Sequence, residues 1–177
     1  MIKTHSTSLN PADWKSAEGE QAALLSFDWP RVFGFDFAGT VHSIGSDLSI
    51  FKVGDPVFGM IQGLPERDRG TLQEYFVVNE KVCASKPENV TMSQAAALPL
   101  VCITAVKMCE ACGLTPTTKE VTAAAVLIEE TKGATNGGLR VLVTGGAGGV
   151  GVHAIQIVKN LFGATYVVTT ASAGVKT

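Results

Sequence analysis

No run of apolar residues in this sequence reaches the ~18 to 20 that a membrane-spanning helix needs. Met1 to Asn10 has neither the apolar centre nor the cleavage pattern of a secretory signal. Charge is sparse: 17% of residues are charged and the net charge is −2, with no basic stretch, which argues against a nucleic-acid partner. The only histidines, His5, His42 and His153, are scattered. The four cysteines, Cys83, Cys102, Cys109 and Cys112, do not have the spacing of a small disulfide framework and read as reduced thiols of a cytoplasmic protein. Cys109 and Cys112 form C-x-x-C on helical text, but with no second pair the ligand count falls short of the four that structural zinc takes. Buried thiols are the simpler reading.

What the chain does have is apolar residues, 46% of the total, and 19 glycines among its 177 residues. The first supports a packed core, and the second implies many turns or a backbone that must approach a ligand. To about residue 90 the text reads as β: Phe37 to Ile44, Phe51 to Phe58 and Leu72 to Val78 are strand-like segments separated by turn signals. Ser93 reads as an N-cap, Pro99 should interrupt the helix that follows, and helical text resumes from Thr104 to Cys112 and stops at Gly113. Residues 114–138 are the least informative, with a short helix expected over Glu120 to Thr131. Then the pattern is clear: a buried strand Arg140 to Thr144, a glycine turn, an amphipathic helix Val152 to Phe162, and a second buried strand Tyr166 to Thr170, together a βαβ unit.

Gly146, Gly148 and Gly151 make G-x-G-x-x-G, with Gly145 and Gly149 adjoining and Ala147 and Val150 between them. The strand before and the helix after supply the context that makes the motif specific for a dinucleotide. On this reading the first glycine permits a tight turn, the second admits the pyrophosphate, and the third lets helix and strand pack closely. The phosphates then lie at the helix N-terminus. A glycine-rich turn without a nucleotide is the structural alternative. NAD sites place an acid about 20 residues on. TYVVTTASAGVKT has none and offers Ser172 and Lys176, which suit a 2′-phosphate and favour NADPH. The alternative is that both only finish a loop.

The blocks SLNPADWK, GFDFAGTV, FKVGDPVFG, AAALPLV followed by ITA, and VLVTGGAGGVGVHAIQIVK resemble, in order and approximate spacing, the zinc-free quinone oxidoreductase (zeta-crystallin-like) branch of the medium-chain dehydrogenase/reductase superfamily. The resemblance implies an α/β protein with a β-rich part. It places a GroES-like catalytic domain over residues 1–98, the first βαβ unit of a Rossmann domain over 99–177, and an insertion at 114–138. Substrate would occupy the cleft between the domains. It also implies that the chain is a fragment, with strands expected before the NPAD block and after YVVTT.

By the same resemblance, Asn10 faces the nicotinamide end of the cleft, Asp13 supports it, and Thr104 contacts the cofactor near the nicotinamide. The alternatives are an ordinary Asn-Pro turn and a helix hydroxyl bonded to its own backbone. Zinc alcohol dehydrogenases have a Cys near the first block and a Gly-His-Glu near the second; here those places hold Asn10 and Asp36, and no metal is expected. The implied reaction is hydride transfer from NADPH to a quinone or α,β-unsaturated carbonyl, in a homodimer when full-length, with neither membrane nor nucleic acid as partner. Two alternatives stand: a carrier-linked enoyl reductase, and a truncated product without turnover. Mitochondrial-type enoyl-thioester reductases carry a tyrosine soon after the first block, whereas WKSAEGEQAALLSFDWP has none.

Overall fold

The computed structural model describes residues 1–19, 30–45, 50–61, 70–115, 127–128 and 138–172. They fall into two units, Met1–Leu100 and Val101–Thr177. The first unit holds five strands, β1 (Ile2–Ser6), β2 (Asp36–Val41), β3 (Pro56–Met60), β4 (Tyr75–Phe76) and β5 (Cys83–Ser85). They form one antiparallel sheet in the order β4-β1-β2-β3-β5. Side chains alternate across the central strand β2. Phe37 and Val41 join Ile2, Phe51, Val57 and Phe76 in one cluster, where Phe37 and Phe76 meet edge-to-face with centroids 4.9 Å apart. Ala38 points the other way, against Ala95 and Ala96 of helix α2 (Met92–Ala96).

The strands are shorter than their text suggests, because turns take over at their ends. Beyond Val41, the N–H groups of His42 and Ser43 turn to the Met1 carbonyl. The first half of Phe51 to Phe58 is a turn, in which the Lys52 N–H donates to the Asp55 carboxylate at 2.8 Å and Gly54 adopts φ +94°. Of Leu72 to Val78 only Tyr75–Phe76 pairs. Strand β1 carried no readable signal, since only Ile2 of IKTHS is buried. The Asn10-Pro11 pair, readable as a turn, instead opens helix α1 (Pro11–Ala17).

Thr91, not Ser93, caps α2: the Gln94 N–H donates to its hydroxyl at 3.2 Å, and its own N–H donates to Gln94 Oε1 at 2.9 Å. Reciprocal bonding of this kind outweighs a lone serine two residues in. The expected break occurs at Ala97–Leu98, and Pro99 is itself the first residue of α3 (Pro99–Ala111), a position that loses no hydrogen bond. Gly113, at φ +80°, follows the end of that helix. The span Met92–Ala111 has a mean hydropathy of 1.4, within the range of a membrane span by composition. The break divides it, and the 13 residues of α3 reach only about 20 Å, short of the ~30 Å hydrocarbon core.

In the second unit, β6 (Leu127–Ile128), β7 (Arg140–Val143) and β8 (Tyr166–Thr169) lie in that order. β7 and β8 are parallel and joined by α4 (Gly149–Asn160), a βαβ crossover; β6 runs antiparallel to β7. Leu127 and Ile128 are thus strand where a helix was expected; the remainder of Glu120 to Thr131 lies outside the described residues. Val141 and Val143 pack with Ala105, Val106 and Cys109 of α3 and Ala154 and Val158 of α4. Burial pushes the Cys109 thiol up to about 12. β7 and β8, expected to be buried, are not buried throughout: Leu142, Tyr166 and Val168 are exposed. Among the described residues the helices cover only the Val141–Val143 face.

Candidate functional site

Two clusters hold the residues singled out from the sequence. The first surrounds Asn10, which is buried at the N-cap of α1. Its backbone N–H donates to Asp13 Oδ2 at 2.8 Å, and the Gly34 N–H donates to Asp13 Oδ1 at 3.1 Å. Gly34, at φ +103°, also packs against Thr71, whose hydroxyl a Cβ there would overlap. Asp13 is therefore a buried carboxylate tying the Asn10 turn to the strand entrance at residue 34.

A second carboxylate lies on the other side. Asp36, at the start of β2, is 0% exposed. Its Oδ2 accepts from Asn10 Nδ2 at 2.8 Å and from the Ser8 hydroxyl at 2.8 Å, while its Oδ1 accepts from the Leu100 N–H at 2.8 Å. Burial raises the pKa of both carboxyls above the ordinary 3.8; the hydrogen bonds from Asn10 and Gly34 to Asp13, and from Asn10, Ser8 and Leu100 to Asp36, act in the opposite direction, and the Asp13 charge adds to the rise at Asp36. The sequence drew attention to Asp36 only as a place without a zinc ligand. Its hydrogen-bond role rests on contacts to residues 26 and 64 positions away, which spacing does not reveal.

The second cluster is the turn between β7 and α4. It divides its labour differently from the expected scheme. The left-handed position is Gly145, φ +68°, rather than Gly146. A Cβ on Gly146 would run into the Thr169 side chain of β8, so Gly146 keeps helix turn and strand close. A Cβ on Gly151 would overlap the Gly145 carbonyl oxygen, whereas on Gly149 it would meet only Val101 Cγ1 at 3.9 Å. The Gly146 N–H donates to the Thr170 carbonyl and the Gly145 N–H to the Thr170 hydroxyl, pinning the turn to the end of β8.

Gly148 is the N-cap of α4 and has no side chain to cap it. The first-turn N–H groups of Gly149, Val150 and Gly151 have no intrahelical acceptor. They border a cavity of about 390 Å³ lined by Thr104, Met108, Val143, Thr144, Gly145, Gly148, Gly149, Val150, Gly151 and Ala154. Thr104 and the glycine turn are thus brought together, while Ala147 is exposed on the same turn. Ser172 is exposed just beyond β8, and Lys176 lies outside the described residues. Among the described residues no group of three or more His, Cys, Asp or Glu side chains is arranged to hold a metal.

Residues 1–88 match the family model of the alcohol dehydrogenase GroES-like domain. The chain is 37% identical to a 2-methylene-furan-3-one reductase of Solanum lycopersicum, over 98% of its own length and 40% of that protein. It is 37% identical to a chloroplastic NADPH-dependent alkenal/one oxidoreductase of Arabidopsis thaliana (97% and 40%) and 38% identical to a zinc-type alcohol dehydrogenase-like protein of Staphylococcus aureus strain COL (97% and 44%). Among solved structures it superposes on the quinone oxidoreductase of Coxiella burnetii with a TM-score of 0.71 at 33% identity, covering 97% of this chain and 47% of that one. It superposes on the CurK enoyl reductase with a TM-score of 0.66 at 25% identity (97% and 45%). The chain therefore spans less than half the length of these relatives. The GroES-like match, the βαβ unit with its glycine turn and the breadth of these likenesses give one conclusion: the chain belongs to the medium-chain dehydrogenase/reductase superfamily.

Proposed function

We propose that the protein carrying this chain is an NADPH-dependent oxidoreductase that transfers hydride to a quinone or an α,β-unsaturated carbonyl without zinc. The observation that carries this reading is the uncapped N-terminus of α4 opening on the cavity that Thr104 lines. The turn fits a dinucleotide: added Cβ atoms are excluded at Gly146 and Gly151, and the first-turn N–H groups and the helix dipole favour a pyrophosphate. NADPH, when bound, supplies the hydride. Gly145 to Gly151 would hold its phosphates, Thr104 would bear on the nicotinamide side, and Ser172 and Lys176 would meet the 2′-phosphate. The names of the tomato and Arabidopsis relatives, a furanone reductase and an alkenal/one oxidoreductase, support the acceptor class.

The zinc-free part rests on the donor chemistry of Asn10 and Asp36. Near the places where, by the resemblance, zinc enzymes of the superfamily carry a Cys and a Gly-His-Glu, this chain has a buried amide hydrogen-bonded to a carboxylate, with neither thiolate nor imidazole in the pair. The name of the Staphylococcus relative points the other way, which makes metal dependence a matter for measurement. The likeness to the CurK enoyl reductase favours carrier-linked enoyl reduction as the second reading. The deciding experiment is steady-state turnover with NADPH and NADH against quinones, enones and enoyl thioesters. Turnover of quinones or enones with NADPH preferred is expected. Turnover confined to enoyl thioesters selects the second reading, and alcohol oxidation alone contradicts both.

A further inference from the structure

Asp36 uses both of its oxygens as acceptors, for donors that come from opposite directions in the sequence. The Leu100 N–H, in the first turn of α3, reaches Oδ1, and the Asn10 amide and Ser8 hydroxyl converge on Oδ2, all at 2.8 Å. The Asn10 amide has two N–H groups; one donates to Asp36, and the same nitrogen also donates to the Ser8 hydroxyl at 3.4 Å. A carboxylate accepts only, so the amide must turn its nitrogen toward it. The strand face completes the arrangement, because the Thr7 hydroxyl donates to the Asp36 backbone carbonyl at 2.7 Å.

We infer that Asp36 is a positioning residue whose two-sided carboxylate fixes the Asn10 side chain with its NH2 edge inward, toward Asp36 and Ser8, so that Oδ1 is the atom left to meet a ligand, as an acceptor. An isosteric amide cannot do the same work. With asparagine at 36, one edge accepts while the other is an NH2 group, which must face either the Leu100 N–H or the Asn10 and Ser8 donors. One side of the junction then loses its bond and gains a donor facing a donor, the arrangement that costs most in a buried site. A glutamate keeps two acceptors but moves them by one methylene. With one N–H on Asp36 and the other toward Ser8, Asn10 does not donate to a developing oxyanion; that consequence for the reaction rests on the reductase reading proposed above, whereas the orientation does not.

The test is hydrogen exchange by NMR of the Asn10 side-chain NH2 and the Leu100 backbone N–H. In the wild-type protein the Asn10 NH2 should exchange roughly tenfold or more slowly than the NH2 groups of the exposed Asn89 and Asn160. Asp36→Asn should abolish protection at one of the two sites, Ser8→Ala should leave both protected, and Asp36→Glu should restore part of what Asp36→Asn removes. In turnover, Asp36→Asn should lower kcat per folded molecule, counted by the stoichiometry of NADPH binding, with the KM for NADPH little changed; a loss that vanishes once the unfolded fraction is discounted would show a merely structural role. Wild-type Asn10 protons exchanging as fast as those of Asn89 overturn the proposal without recourse to any variant. So does an Asp36→Asn protein that keeps both protections and its kcat. A wild-type protein inert toward quinones and enones counts against the reductase reading, and the exchange data still decide the role of Asp36.

Discussion

Around Asn10 the protein builds with side chains: two buried carboxylates, a hydroxyl and an amide take up one another's hydrogen-bonding groups. At the β7–α4 turn it builds with backbone: glycines clear space, and the N–H groups of the first helical turn are left to face a cavity. A cluster whose donors and acceptors already pair with each other contributes to stability and holds a geometry. A turn with unpaired donors contributes little to folding and much to binding. Substitutions should therefore separate the two regions by what they damage.

The largest effect on folding is expected at Asp13. Asp13→Ala removes the acceptor of both the Asn10 and Gly34 N–H groups and should cost about 1–3 kcal/mol for each N–H left unsatisfied, measured by chemical denaturation. A change within about 0.5 kcal/mol would erase the contrast with the glycine turn. Binding should respond most at Gly151. Gly151→Ala forces a methyl against the Gly145 carbonyl and should weaken NADPH binding about a hundredfold, near 2.8 kcal/mol, by calorimetry. Gly149→Ala, with open space around its added methyl, should stay within roughly threefold. Equal losses for the two would show that the turn is not shaped by steric exclusion.

That contrast also explains what could be read in advance. The turn, the helix after it and the parallel strand are local in sequence, so G-x-G-x-x-G between two strand-like runs was sufficient to place β7, α4 and β8. The division of labour among the glycines was not legible, because Gly146 is constrained by Thr169, a side chain of the next strand. The cage around Asn10 was hidden for the same reason: its hydrogen bonds to Gly34, Asp36 and Leu100 span 21 to 64 residues of chain, and no period or spacing marks such partners. Strand β1 stayed unread because its burial depends on neighbours on both sides rather than on its own composition.

Smaller effects sharpen the comparison further. Lys176→Glu should weaken NADPH by roughly ten- to a hundredfold, about 1.5–3 kcal/mol, and NADH much less; equal losses would remove Lys176 from the phosphate site. The smallest effect expected is on pH dependence. Burial raises the Asp13 and Asp36 pKa values above 3.8, so the folded form retains their protons to higher pH than the unfolded chain does. Their contribution to stability is therefore full below 3.8 and is lost as pH rises through the folded values. The stability difference between wild type and Asp13→Asn should move in favour of the wild type as pH falls through that window, and a difference independent of pH would contradict the assigned direction.

The proposed hydride transfer from NADPH needs no metal, and prolonged chelation puts that proposal to the test. Reduction of an enone by NADPH should show the same kcat/KM before and after dialysis against a strong chelator, with no stoichiometric zinc in the dialysed protein. Activity that disappears on chelation and returns on adding zinc would contradict the account.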